Sequence, residues 1–65
     1  MKVVKGSRIL KMLSEDGWFV VRQRGSHRQY HHPVKKGTVT VNFEPHDDVW
    51  GLVLKSVERQ AGLTF

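Results

Sequence analysis

Trp18-Phe19-Val20-Val21-Arg22-Gln23, Arg24-Gly25-Ser26 and His27-Arg28-Gln29-Tyr30-His31-His32 stand in succession, and their reading decides the fold. The first run is β-branched and aromatic and too short for an independent helix, which predicts a strand. Arg24-Gly25-Ser26 predicts a turn. The third run, as a strand, turns His27, Gln29 and His31 to one side and Arg28, Tyr30 and His32 to the other. Pro33 ends it, and Val34-Lys35-Lys36-Gly37 makes a basic hairpin loop. Thr38-Val39-Thr40-Val41-Asn42-Phe43 then alternates most cleanly, with Val39, Val41 and Phe43 facing a core and Thr38, Thr40 and Asn42 facing away. A three-stranded antiparallel meander follows.

Outward from the meander, each flank reads as a helix. Ser7 is a good N-cap, Ile9, Leu10 and Leu13 recur at helical spacing, and Asp16-Gly17 stops the segment. After the loop Glu44-Pro45-His46-Asp47-Asp48, the last Asp can cap a second helix. Trp50, Leu54, Val57 and Ala61 form its apolar stripe, widened by Val53, and Gly62 terminates it. The expected class is α+β, in the order helix, three strands, helix. Two helices with one apolar face each cover only one side of a small sheet. The other side is left in water with His27, Gln29, His31, Thr38 and Thr40.

The chain has 65 residues, which reads as one domain spanning residues 1–65 and leaves no room for a doubly wound nucleotide-binding fold or a barrel. It has no cysteine, so neither disulfides nor a Cys-based zinc finger can stabilise it. The longest apolar run, Trp18 to Val21, is far short of the ~20 residues that span a bilayer. Lys2 and Lys5 have no apolar segment behind them, so no signal peptide is expected and a cytoplasmic setting is. Lys and Arg number 11 against 6 Asp and Glu, a net charge of +5. That excess makes a polyanion, nucleic acid above all, the first partner to consider.

Four histidines invite a metal reading, which the spacing disfavours. His27 and His31 on a strand stand about 13 Å apart, and His31 and His32 point to opposite faces. No metal or other cofactor is expected. Acid–base chemistry on RNA is the sharper reading, because a histidine of ordinary pKa near 6.5 can take or give a proton at neutral pH. His27 follows Gly25-Ser26, with Arg22, Arg24 and Arg28 nearby to hold a phosphate. The Gly25 and Ser26 N–H groups are candidate further donors. Lys35 and Lys36 are candidate backbone contacts. His31 and His32 read as surface residues, and Trp18, Tyr30 and Trp50 as packing rather than base-stacking groups. A non-catalytic RNA-binding module using the same basic surface is the competing reading.

The chain resembles HicA-type toxins, the small mRNA-cleaving members of bacterial toxin–antitoxin pairs. The resemblance rests on Glu15-Asp16-Gly17-Trp18, on Val21 through Tyr30 with its central Gly25-Ser26-His27, on His32-Pro33 and on Val39-Thr40-Val41. Pro45-His46, Leu54-Lys55-Ser56-Val57 and the closing Arg59-Gln60-Ala61-Gly62-Leu63 also fit. It implies a double-stranded-RNA-binding-like fold and ribonuclease activity resting on His27, with His46 as a second candidate. It also implies a HicB-type antitoxin that covers His27. Three departures stand out: Pro45 and His46 are adjacent, Leu52-Val53-Leu54 replaces Gly-Thr-Leu, and Glu58 stands where the family prefers an apolar residue.

Overall fold

The computed structural model describes residues 1–65. Its elements are β1 (Val3–Lys5), α1 (Gly6–Asp16), β2 (Phe19–Arg24), β3 (His27–His31), β4 (Val39–Val41), β5 (Asp48–Trp50) and α2 (Gly51–Ala61). The expected meander is present, with β2, β3 and β4 in sequential order and both pairings antiparallel. Inward residues Tyr30, Val39 and Val41 join Ile9 and Leu13 of α1 and Leu54, Val57 and Ala61 of α2 in one core cluster. Both helices therefore cover the same sheet face, an α+β arrangement consistent with the double-stranded-RNA-binding-like class. Ile9, Leu13, Val39 and Val41 are its most completely buried side chains. Each such burial stabilises the fold by roughly 1.5–3 kcal/mol.

A second, two-stranded sheet is the main difference from the sequence reading. β1 pairs antiparallel with β5, Val4 opposite Val49, and both of these valines are buried. Each strand runs directly into a helix, and because the pairing is antiparallel, α1 and α2 leave from opposite ends of this clasp. Both expected side-chain caps are replaced in consequence. The N–H groups of Gly6 and Ser7 donate to the carbonyls of Asp47 and Pro45, both at 2.8 Å, and Ser7 lies inside the helix, with Lys5 at the N-cap position. Asp48 lies in β5, where its carboxylate pairs with Lys5 Nζ at 2.8 Å across the clasp.

The clasp also corrects Trp50. Alternation along β5 turns Val49 inward and Trp50 outward, so Trp50 leaves the helical stripe and is 54% exposed. Val53 is half-exposed too, and the buried stripe of α2 is Leu54, Val57 and Ala61. The strands also start and stop differently from expectation. β2 omits Trp18 and includes Arg24, and β4 ends at Val41, although Phe43 beyond it is buried as expected. Glu58 is explained by what it holds. Its carboxylate accepts from Lys2 Nζ at 3.1 Å and from the Phe65 N–H at 2.9 Å, tying both ends of the chain to α2.

Candidate functional site

Gly25 and Ser26 are the whole of the β2–β3 turn, because Arg24 and His27 are directly paired across it. Gly25 has φ 62° while no other residue type in the chain has positive φ. That pattern, glycine first and a residue of negative φ second, is the type II′ connection whose twist matches the strands. Open space surrounds the position where a Gly25 Cβ would be, so the dihedral and not crowding selects glycine. The tight turn sets the two flanking side chains on one face, and directly paired residues have Cβ atoms about 5 Å apart. The Arg24 guanidinium and the His27 imidazole therefore share the open face of the sheet.

The register extends this face. Arg22 stands opposite Gln29, and Gln29 opposite Thr40, with all three side chains exposed. A bulge between Val20 and Arg22 shifts the pairing, after which Phe19 faces His31. His31 Nε2 in turn lies 3.2 Å from the Thr38 hydroxyl. The open face thus runs from Arg24 and His27 at the turn to His31 and Thr38 at the far end.

Three of the sequence-assigned phosphate contacts lie elsewhere. Arg28 is on the helix-covered face, where Nη1 donates to the Phe43 carbonyl at 3.3 Å. Lys35 donates to Asp16 Oδ2 at 2.7 Å and to the Ala61 carbonyl at 3.1 Å, bridging the ends of both helices. Lys36 is exposed on the 32–38 loop, at the far end of β3 from His27. Arg22, Arg24, Gly25 and Ser26 are the members brought together with His27.

The other histidines divide by environment. His32 is not a surface residue: its side chain is 9% exposed, and its ring packs edge-on to buried Trp18 at 5.1 Å. Nδ1 accepts the Val34 and Lys35 N–H groups, both at 3.0 Å, so the ring proton sits on Nε2 and is donated to the Asp16 carbonyl at 2.7 Å. Those bonds organise the 32–38 loop. His46, by contrast, is 82% exposed with Nε2 3.6 Å from Asp47 Oδ1. Its loop follows the end of β4, and Arg28 reaches Phe43 there, so His46 is carried at the His27 end of the sheet.

Charge shifts mark the supports of the fold. The Lys35 ammonium bonded to Asp16 holds that carboxyl below its ordinary range. Glu58 is held low by the Phe65 N–H and by Lys2. Burial raises the Tyr30 phenol. No group of three or more His, Cys, Asp or Glu side chains converges as a metal cage. Chemically, the open face can grip a phosphodiester with two guanidinium groups and present an imidazole to it. Sequence reasoning assigned Trp50 to packing, whereas the β1–β5 pairing leaves it exposed.

A family model described as "HicA toxin of bacterial toxin-antitoxin" matches residues 6–63. No curated protein matches the chain.

Proposed function

The chain belongs to the HicA toxin family, the toxin side of bacterial toxin–antitoxin pairs, and from that premise we propose that it is a metal-independent endoribonuclease that cuts mRNA and arrests translation. One observation carries the reading: His27 is exposed on the open sheet face, directly across a tight turn from Arg24. A phosphodiester gripped by Arg24 and Arg22 lies against the imidazole. The RNA's own 2′-OH attacks the adjacent phosphorus, His27 takes its proton, and the guanidinium groups neutralise the dianionic phosphorane. The P–O5′ bond then breaks, the 5′-oxygen is protonated, and the products end in a 2′,3′-cyclic phosphate and a 5′-hydroxyl. His46, exposed at the same end, is the second proton-transfer group. The Gly25 and Ser26 N–H groups add donors at the turn.

The setting is cytoplasmic, where mRNA is. No helix is long and apolar enough to cross a membrane. A HicB-type antitoxin silences the toxin by covering His27 and pairing acidic side chains with Arg22 and Arg24.

Cleavage of RNA by purified protein in chelator tests the proposal. His27→Ala is expected to lose about 10²–10⁴-fold in rate, the usual worth of one general acid–base group. Its melt should stay within about ±0.5 kcal/mol of wild type, because an exposed side chain packs little. RNA affinity should persist, since the arginines remain. His46→Ala should lose less. A folded His27→Ala that cuts at the wild-type rate removes His27 from the mechanism. Wild-type protein that shifts RNA without cutting it makes this a binding module, and loss of cutting in chelator makes it a metallonuclease.

A further inference from the structure

Trp50 is the largest side chain that the fold leaves in water without packing reason. It is 54% exposed, against 2% for Trp18, and Leu52 and Val53 beside it are 86% and 45% exposed. With Phe43 and Asn42 they line an open, mainly apolar groove of about 530 Å³ off the end of β4. That volume is in the range of clefts that hold small ligands. Two carboxylates also line it, yet both are engaged. Asp48 pairs with Lys5 at 2.8 Å, and Asp47 accepts the Glu44 N–H at 2.7 Å.

Position gives the groove its occupant. The ladder sets Val41 opposite Arg28, and Asn42 follows Val41 directly, at the His27 end of the sheet. Asn42 is exposed and thus belongs both to the open face and to the groove. With its phosphate at Arg24 and His27, a nucleotide can extend its base past β4 toward this groove. The lining matches a base chemically. An indole face supplies a stacking surface of the kind that binds unpaired bases irrespective of sequence. The Asn42 carboxamide carries both donors and an acceptor for a base edge. Cations are absent from the lining, so the groove suits the base and not the phosphate, which the arginines hold.

We propose that the Trp50–Asn42 groove is a nucleobase-binding subsite that stacks one unpaired base of the RNA next to the scissile phosphate. This deepens the ribonuclease reading and rests on it. The subsite selects single-stranded over duplex RNA, because a base in a helix is already stacked and cannot lie on Trp50.

The test uses two short single-stranded 2′-O-methyl RNAs, blocked against 2′-OH attack and identical except that one is abasic throughout. Binding of wild type, Trp50→Ala and Trp50→Phe is measured to both, alongside thermal melts. Trp50→Ala should weaken binding of the base-bearing oligonucleotide by about 5- to 150-fold, the span of one lost stack, and leave the abasic one unchanged. Trp50→Phe should retain most of the affinity. In wild type, the base-bearing strand alone should quench Trp50 emission, an arm that holds even if Trp50→Ala melts early. Equal effects of Trp50→Ala on both strands, or none on either with no quenching, overturn the subsite. The ribonuclease reading survives that outcome. Wild type that binds neither strand at low salt brings down both.

Discussion

Arg24 and Arg28 stand four positions apart on either side of one turn, yet their environments assign them opposite duties. Arg24 shares the open face with His27, whereas Arg28 reaches under the sheet to the Phe43 carbonyl. Arg24→Ala should therefore remove one phosphate contact. Counterion release gives a log–log salt slope of about −0.7 per contact on single strands. The slope should become shallower by about 0.7, and affinity should drop about five-fold at 0.1 M salt and hardly at all near 1 M. Its melt should move by no more than about ±0.5 kcal/mol. Arg28→Ala should do the reverse. It deletes a part-buried, charge-assisted bond that is long at 3.3 Å, so the cost falls at the low end of the range, about 1.5 kcal/mol. For a domain of this size that lowers Tm by about 6–12 °C, with the salt slope of wild type. The assay is fluorescence anisotropy with a blocked RNA across a salt series, paired with thermal melts. If Arg28→Ala shifted the slope as Arg24→Ala does and left the melt alone, the assignment of faces would be wrong.

Two further outcomes follow from the clasp and the charge supports. Gly6→Ala should destabilise the fold by about 1–3 kcal/mol, seen as a lower denaturant midpoint, because the new Cβ collides with the Glu44 carbonyl and presses on Phe43. Helix propensity alone argues for a gain of up to about 1 kcal/mol, so an unchanged or raised midpoint would refute the close approach. Acid should weaken the fold through Asp16 and Glu58, both lower in pKa when folded than unfolded. Groups shifted in that direction stabilise fully above their unfolded values, near pH 4, and lose that contribution as pH falls through the folded values. Melts at pH 7, 4 and 2 should show the loss below about pH 4, blunted in Lys35→Met and Lys2→Met; equal acid sensitivity in those variants would discount the two pairs.

What the sequence determined by itself is local. Alternation from His27 to Tyr30 and from Thr38 to Phe43 depends only on the two-residue period of a strand, and it placed His27, Gln29 and Thr40 on the open side and Tyr30, Val39 and Val41 in the core. The same alternation already set Arg28 opposite to His27, against its grouping with the phosphate contacts. Gly25-Ser26 likewise carries its own turn geometry, so the exposed place of His27 beside the turn was legible locally. Tertiary structure decided what depends on partners far along the chain. Val3-Val4-Lys5 becomes a strand only because Asp48-Val49-Trp50 lies beside it, more than forty residues away. Three residues have no period to read, and the pairing free energy belongs to neither segment alone. That single pairing moved Asp48 from cap to ion pair, Trp50 from core to water, and the α1 cap from the Ser7 side chain to the Pro45 and Asp47 carbonyls. Lys35 was decided in the same way, since only the packed fold sets Asp16 and the end of α2 within reach of its ammonium.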